Sequence, residues 1–528
     1  MNKLIRPMSG EYVEYLRDES RTVGRADSIA FPHNEAELGA ILTAAYTDGE
    51  RITIQGARTG LAAAAVPEGG CIINLTRMDR VTGMRRDATG RYYLKVQPGV
   101  ILSQMRKRIE DKRFDTTGWD ADSLVAYEDF KKASEQFFTC DPTESSCTIG
   151  GMVACNASGA RSYLYGPVRQ HVSGLRVVLP GGETLTPHRG EVFAAGRTLC
   201  LSTDGGRLID VSLPTFDMPH TKNASGYYIK DDMDAIDLFI GSDGTLGVIT
   251  EIELSLMDAP GTIWGAACFF EEEDKALDFV IRVRGELTDI GALEYFDARA
   301  LQILRDAKSE KAAFAGLPTI PAHFAYCIYI EVHCDDDEKA AERLFEVGDL
   351  ITACGGRETD TWVSRTAFDR DKLIFFRHAT PECVNMIIDE RKKQDPIITK
   401  LGTDMAVPDE NLKEIMAMYH AQLAELGLQY AIWGHIGDNH VHVNVLPRSA
   451  AEHARTKELY QEWARVISEL GGSVSAEHGV GKLKAGFLRV MYGDKHIAEM
   501  ARLKTVFDPK GLLGVGNMFA PQNTEVKP

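Results

Sequence analysis

The sequence predicts an α+β protein built as two large units, and two patterns carry that prediction. From about residue 34 to 255, glycine-rich turns alternate with short β-branched runs. Among them are ITIQG (52–56), CIINL (71–75), YYLKV (92–96), LRVVLPGGE (175–183) and LFIGSDGTLGVITEIELSL (238–256). Short runs bounded by turn residues read as strands, with few long helices between them. A different rhythm begins near residue 262. IWGAACFF, the acidic EEED and the helix-like KALDFVIRVRGEL are followed by FAYCIYIEVHC, DDDE and KAAERLFEVGDLI. Strand, acidic run, amphipathic helix and strand, met twice, form a pseudo-repeat of βαβ units of the ferredoxin-like kind. Length alone, 528 residues, suggests three or four domains at about 150 residues each. The two patterns favour two units instead.

Taken in order, residues 1–33 are polar and charged and are expected as a helical arm. Residues 34–258 form the first unit. Within it, residues 111–140 are charged and partly helical in period, and are read as a surface insertion. Such a segment is either a packed helix or a lid or docking element. Residues 259–519 form the second unit, and 520–528 a polar tail. The acidic runs Glu271–Asp274 and Asp335–Glu338 precede helices, where negative charge favours the N-terminus, so calcium is not needed to explain them.

Composition bounds the function. Apolar residues make up 44% and charged residues 26%, which excludes disordered and collagen-like classes. A net charge of −18, from 77 acidic against 59 basic residues, argues against nucleic-acid binding but leaves a small anionic substrate open. No apolar run reaches 18 residues, so no transmembrane segment is expected, and the N-terminus carries no signal-peptide core. The ten cysteines are scattered without a C-x-x-C pair, against zinc fingers and iron–sulfur clusters. Reduced thiols and a cytoplasmic address are expected, with peripheral docking on a membrane or partner left open.

Three glycine-dense blocks carry the first chemistry. IQGARTGLAAAAVP (54–67) leaves backbone N–H groups open to an anion such as a pyrophosphate. DPTESSCTIGGMVACNASGARSYLYG (141–166) and GSDGTLGVIT (241–250) also let a ligand approach the backbone. Neither a Walker sequence nor a Rossmann fingerprint fits: Gly479 and Gly481 are followed by Lys484 where a third glycine would stand, and Lys482 by Leu483. In this order the three blocks resemble the FAD domain of the vanillyl-alcohol oxidase / p-cresol methylhydroxylase (PCMH) superfamily. The rest resembles the FAD-linked oxidase C-terminal domain of the D-lactate dehydrogenase, glycolate oxidase and D-2-hydroxyglutarate dehydrogenase branch. Together the resemblance spans roughly 34–519.

It implies a PCMH-type FAD-binding domain of two α+β subdomains and a C-terminal domain with a ferredoxin-like α/β substrate cap. It also implies that Gly56, Ala57, Arg58, Thr59, Gly60 and Leu61, with Pro142, Thr143, Gly150, Gly151, Ala157 and Gly159, wrap the FAD pyrophosphate. Gly244, Thr245 and Ile249 would touch the flavin or adenine side through their backbone. Asp243 stands where relatives have Glu. No His lies between 34 and 170, so the FAD should be noncovalent.

The second constellation is AIWGHIGDNHVHVNV (431–445), which holds His435, His440 and His442 within eight residues. Gly437-Asp438-Asn439 separates two apolar alternating runs, as in a β-hairpin. A loop of Gly437 to His440 would pair His435 with His442, about 5 Å apart at Cβ, with Asn444 on the same face. In SVSAEHGVGKLK (473–484), Glu477 can complete a His₂Glu divalent site, and the adjacent His478 can act as a base. The resemblance implies those roles: His435, His442 and Glu477 as ligands to a divalent metal, zinc or manganese in kind, and His478 as base. Relatives have Gly-Asn where this chain reads Asn439-His440, which leaves a contact from His440 open.

Arg377, after an aromatic run in LIFFRHATPE (373–382), can clamp a carboxylate with two parallel hydrogen bonds, the role its counterpart has in relatives. Asn444 and His478 would complete the substrate contacts. In the hydroxyglutarate enzymes a Lys two positions before the Asp of the D-x-x-x-P segment holds a distal carboxylate. Here Gly402 stands there and Lys400 is displaced, which favours a small monocarboxylate.

The expected function is oxidation of a D-2-hydroxy acid, D-lactate in type, to the 2-oxo acid, with hydride passing to flavin N5. Alternatives are a glycolate or D-2-hydroxyglutarate dehydrogenase, a related FAD alcohol oxidase, and a non-catalytic FAD electron-transfer subunit. Without cysteine clusters, electrons would leave to a separate acceptor, an electron-transfer protein, a quinone or oxygen. A homodimer is an open arrangement. Gly514-Val515-Gly516-Asn517, where relatives often show Asn-Pro-Gly-Lys, is expected near the flavin.

Overall fold

A computed structural model describes residues 4–520, so the tail beyond 520 lies outside the described residues. Each of the five β-branched runs of the first unit contains a strand: Ile52–Gln55, Cys71–Asn74, Tyr92–Val96, Val172–Val178 and Val248–Ser255. They form two sheets. The four-stranded sheet runs in the order Ile5–Pro7, Ser28–Ala30, Cys71–Asn74, Ile52–Gln55, with the last three strands parallel. The five-stranded antiparallel sheet runs Val81–Arg86, Tyr92–Val96, Val248–Ser255, Val172–Val178, Thr184–Leu185. Helix Glu35–Asp48 starts at Asn34, whose side chain accepts from Glu37 N at 2.9 Å. It buries Leu38, Ile41, Leu42 and Ala45.

Two expectations for this unit are corrected. The segment before residue 34 is not a helical arm. It supplies two strands to the four-stranded sheet and a 3-10 turn, Gly10–Leu16, whose Tyr12 is buried beside Ile29 and Ile72. Nor is 111–140 a surface insertion. Helix Ala121–Phe130, capped by Asp120, buries Phe130 and Ala126, and the preceding Trp119 donates its indole N–H to Val81 O at 2.9 Å. Its aromatic residues outweigh its charges: Phe130 meets Tyr92 edge-on in the core, and strand Gln136–Phe137 pairs with Met257–Asp258.

The second unit is an eight-stranded antiparallel sheet. Its first four strands in sequence, Thr262–Phe270, Ile290–Phe296, Tyr326–Cys334 and Thr361–Ser364, lie in the spatial order fourth, first, third, second. That is the ferredoxin-like arrangement the repeat implied, with helices Glu273–Glu286 and Asp337–Ala353 as the two connections. The acidic residues sit at both helix starts. Asp336 caps the second helix by accepting from Lys339 N at 2.9 Å. The sheet continues through the hairpin Tyr430–His435 / His440–Val445, and both Leu401–Gly402 and Met405–Ala406 pair with its second strand.

Strand alternation gives this sheet two unlike faces. One carries Trp264, Ala266, Cys268, Leu293, Tyr295, Ile328, Ile330, Val441 and Val443 into an apolar core. The other is apolar near Phe269, Phe296 and Trp433, then turns polar at Glu294, Glu331, His333, His435, His440 and His442. The chain finally returns to the first unit. Val480, Leu488, Tyr492, Met500, Leu503, Phe507 and Met518 belong to that unit's core, and Leu513 bridges to Ile52 at the edge of its four-stranded sheet.

Candidate functional site

A cavity lies between the two units. Its wall includes Gly56 to Leu61, Pro142, Thr143, Gly150, Gly151, Ala157, Gly244 and Ile249, and also His435, His442, Glu477 and His478. Most of the predicted cofactor contacts and most of the predicted metal and base residues therefore share one space. The loop at 56–61 is seated against helix Ile149–Cys155. A Cβ at Gly56 would meet Thr148 Oγ1 at 2.2 Å, and one at Gly150 would meet Pro98 at 2.5 Å. Among the described residues no protein backbone acceptor takes the N–H groups of Arg58, Thr59, Gly60 or Leu61. Ser158 Oγ, also on the wall, is buried without a hydrogen-bond partner. Open N–H groups and an orphaned hydroxyl suit the phosphates of a dinucleotide.

Three predicted contacts are placed differently. The Arg58 guanidinium turns out of the cavity, donating to Glu14 O and lying over the Tyr15 ring, so only its backbone faces inward. Gly159 and Thr245 lie behind the wall. A Cβ at Gly159 would strike Asp141 O at 1.8 Å, and the fully buried Thr245 shares a 2.7 Å hydrogen bond with Tyr227. Both shape the turns that carry wall residues.

Asp243 joins the units. Its carboxylate accepts from Val480 N at 3.1 Å and Gly481 N at 2.8 Å. Gly479 and Gly481 both have positive φ, and a Cβ at Gly481 would meet Ala62 O at 2.1 Å. In the segment 514–517, Asn517 donates to Ala64 O and Asp243 O, and Lys482 Nζ donates to Asn517 Oδ1 at 2.8 Å.

Burial pushes the Asp243 carboxyl up to about 6, against the N–H groups that pull it down. The folded chain then holds this proton more tightly than the unfolded chain. Stability from this group is greatest below its unfolded value and is lost as pH rises toward 6, by about 3 kcal/mol in all. Asp243→Asn is expected to raise the unfolding midpoint at pH 7 relative to wild type, with the gain vanishing by about pH 4. Unfolding curves at the two pH values check this, and a difference independent of pH would count against it.

The His/Glu set is tighter than the sequence implied. The hairpin loop is Ile436–Asn439, closed by Asn439 in the left-handed region (φ 50), not 437–440. The register therefore moves by two: His435 faces His440, and His442 faces Trp433. His435, His440, His442 and Glu477 each offer an atom such that all four atoms lie within 4.8 Å of one another. Behind the set, His435 Nδ1 lies 2.6 Å from Glu294 Oε1 and His442 Nδ1 lies 2.9 Å from Thr403 O. The opposite nitrogen of His435, Nε2, lies 3.1 Å from Glu477 Oε2. Carboxylate or carbonyl behind imidazole is the usual support of a metal-binding histidine. Glu477 Oε2 and both His440 nitrogens are buried without a well-formed hydrogen bond, each a cost of roughly 1–3 kcal/mol that a cation would offset. The residues present thus fit a divalent ion.

Burial pushes His435 down, but Glu294 and Glu477 outweigh it and lift it to about 9. Burial holds His440 and His442 low. It opposes ionisation of Glu477, yet Lys222 and His435 keep that carboxyl well below its ordinary range. Lys222 Nζ is buried 3.5 Å from Glu477 Oε2 and was not foreseen. Burial also pushes His478 down to about 4, so its imidazole is neutral at ordinary pH, as a base must be. The His478 ring stacks on His442 with centroids 5.4 Å apart.

Asp404, read in the sequence only as the Asp of the D-x-x-x-P segment, is the hub of the site. Its carboxylate accepts from Ser475 Oγ at 2.8 Å, Glu477 N at 3.2 Å and His478 N at 3.0 Å, and from Lys484 Nζ. It also lies 3.0 Å from His440 Nε2 and 3.5 Å from His478 Nδ1. The D-x-x-x-P match marked the residue but not its partners, which are distant in the chain.

Arg377 stands apart from the cavity wall. No carboxylate among the described residues lies within ion-pair distance of it, and its recorded hydrogen bond is a 3.5 Å contact to the His378 ring. Burial disfavours its charge, but Glu294, Glu331 and Asp141 outweigh burial and raise its pKa. Through Glu294 it is one residue removed from His435. Glu331 in turn accepts from Arg161 Nε of the first unit at 2.9 Å and from Tyr329 OH at 2.8 Å. Asn444 does not line the cavity. Its amide donates to His442 O at 2.9 Å, and it faces Gly402.

Comparison with known proteins finds matches over both units. Residues 262–518 match the family model described as FAD linked oxidases, C-terminal domain, and residues 26–123 and 126–187 match the one described as FAD binding domain. The glycolate oxidase subunit GlcD of Bacillus subtilis is 26% identical over 498 residues, covering 94% of this chain and 89% of that one. A D-lactate dehydrogenase of Anaerostipes hadrus is 24% identical over 526 residues, covering 96% and 92%. The solved 4-ethylphenol oxidase from Gulosibacter chungangensis, in an isoeugenol complex, superposes with a TM-score of 0.66 at 16% identity. It covers 98% of this chain and 95% of that one, a likeness of fold. No helix among the described residues is long and apolar enough to cross a membrane.

Proposed function

We propose that this chain, which belongs to the FAD-linked oxidases of the D-lactate, glycolate and D-2-hydroxyglutarate dehydrogenase branch, oxidises a small D-2-hydroxy acid of the D-lactate type to the 2-oxo acid. The observation that carries this reading is the shared cavity: the glycine cradle and the His/Glu set open into one space. When bound, FAD supplies a two-electron acceptor and the divalent ion a Lewis acid.

The chain's own residues supply the rest. Arg58 to Leu61 offer backbone N–H groups to the cofactor phosphates, and Ser158 its hydroxyl. His435, His442 and Glu477 would hold the ion. His478, neutral and on the cavity wall, accepts the substrate hydroxyl proton, with Asp404 behind its ring. Arg377 has no ion-paired carboxylate and so has donors left for the substrate carboxylate, but it lies off the cavity wall and its guanidinium would have to turn toward the substrate.

One feature supports a monocarboxylate: Gly402 offers no cation for a distal acid group. The reduced cofactor would pass its electrons to a separate acceptor, an electron-transfer protein or a quinone.

The test is anaerobic mixing of the FAD-loaded protein with a panel of D-2-hydroxy acids. D-lactate and its short neutral homologues should bleach the oxidised flavin, and D-2-hydroxyglutarate should do so poorly. A flavin that stays oxidised with every member of the panel would overturn the reading. A chelator that leaves bleaching intact would instead favour an alcohol oxidase without metal assistance.

A further inference from the structure

The resemblance leaves a contact from His440 open. The register assigns it one. His440 lies directly opposite His435 in the hairpin, and its ring centroid is 4.6 Å from that of His442. Its side chain is fully buried. Its two nitrogens look in different directions. Nε2 lies 3.0 Å from Asp404 Oδ1, while Nδ1 lies 3.4 Å from Glu477 Oε2, inside the cluster. Neither nitrogen makes a well-angled hydrogen bond.

Nε2 has the Asp404 carboxylate beside it, but Nδ1 has only Glu477 Oε2, itself without a hydrogen bond, and such a buried nitrogen is unfavourable unless something absent from the polypeptide completes it. The pattern behind it matches its neighbours. His435 is backed by Glu294, His442 by Thr403 O and His440 by Asp404, and each leaves one nitrogen for the space beside Glu477.

We propose that His440 is a ligand of the same divalent ion, so that this chain's set is three imidazoles and one carboxylate instead of two and one. The proposal rests on the divalent site in the function proposed above. Asp404 is then a positioning residue: it fixes the proton on Nε2 and turns Nδ1 toward the ion. The chemical consequence concerns which ion is held. Imidazole donors suit zinc and its neighbours, whereas carboxylate and water suit manganese. A third imidazole biases the site toward zinc and tightens its hold.

The experiment measures binding instead of turnover. FAD-loaded protein is stripped with a chelator, then titrated with zinc and with manganese against a competing indicator, for wild type, His440→Asn and His440→Gln. Wild type should prefer zinc. Both variants should lose zinc affinity by at least the roughly 10–100-fold that losing an outer-shell partner costs, while manganese affinity changes less. FAD content and the unfolding midpoint of the metal-free forms show whether the variants are folded.

X-ray absorption on zinc-loaded wild type needs no variant and should count three imidazoles. Two imidazoles in that spectrum, or equal zinc affinity in all three proteins, would overturn the role of His440 and leave the site itself standing. Wild type that binds neither ion would overturn the site and, with it, this proposal.

Discussion

His478→Ala is expected to slow reduction of the flavin by a D-2-hydroxy acid by roughly 10²–10⁴-fold, the usual contribution of a positioned general base. The measurement is anaerobic stopped-flow of FAD-loaded protein at saturating substrate. The loss should fall on the rate and not on the affinity, because His478 is not the residue assigned to the substrate carboxylate. The variant should keep its FAD and its unfolding midpoint. His478 has its backbone N–H on Asp404, which alanine preserves, and its ring is partly exposed to the cavity. A reduction rate within a few-fold of wild type would show that the hydroxyl proton leaves by another route.

Asp404→Ala should do more damage to the protein than to any single step. Removing this carboxylate leaves the N–H groups of Glu477 and His478 without their acceptor and the Lys484 ammonium with only the Ser475 hydroxyl. Stripping one partner from a buried charge network costs roughly 3–5 kcal/mol. The loop 473–484 carries Glu477, His478 and the glycines that meet Asp243, so a looser loop should also release FAD. Denaturant unfolding and cofactor retention on gel filtration measure both effects. Asp404→Asn keeps an acceptor and should lose less. An alanine variant as stable as wild type would show that the hub is replaceable by water.

Much of this was readable from residues alone, for identifiable reasons. The strands of the first unit were marked by β-branched runs between glycine turns. The ferredoxin-like half was marked by a repeated strand–acid–helix rhythm that recurs at both helix starts. The glycine cradle and the His/Glu set were legible because rare residue types crowd into short stretches.

What was not legible depends on long-range geometry. The hairpin register turned on whether Asn439 closes the loop in the left-handed region, a choice of one backbone conformation that moves His440 from the turn into the cluster. Asp404 meets partners that lie 71–80 positions later in the chain, and nothing in its neighbours marks that. The Arg58 side chain was drawn away by Glu14 and Tyr15, in a segment that looked like a detached arm. The 111–140 segment misled through its charge, since its buried aromatic residues are few but decisive.

The return of residues 480–518 into the first unit also sets the order in which the protein can be made. The core around Ile252 and Leu254 is closed by Leu488, Met500, Leu503 and Phe507, and the edge at Ile52 is covered by Leu513. A nascent chain that has emerged only to residue 260 lacks those side chains. It also lacks the Val480 and Gly481 N–H groups that hold Asp243. The first unit's core is therefore complete only when residues 480–518 have been made and packed onto it. Fragments that stop short of the C-terminal segment should accumulate as collapsed, cofactor-free species that depend on chaperones.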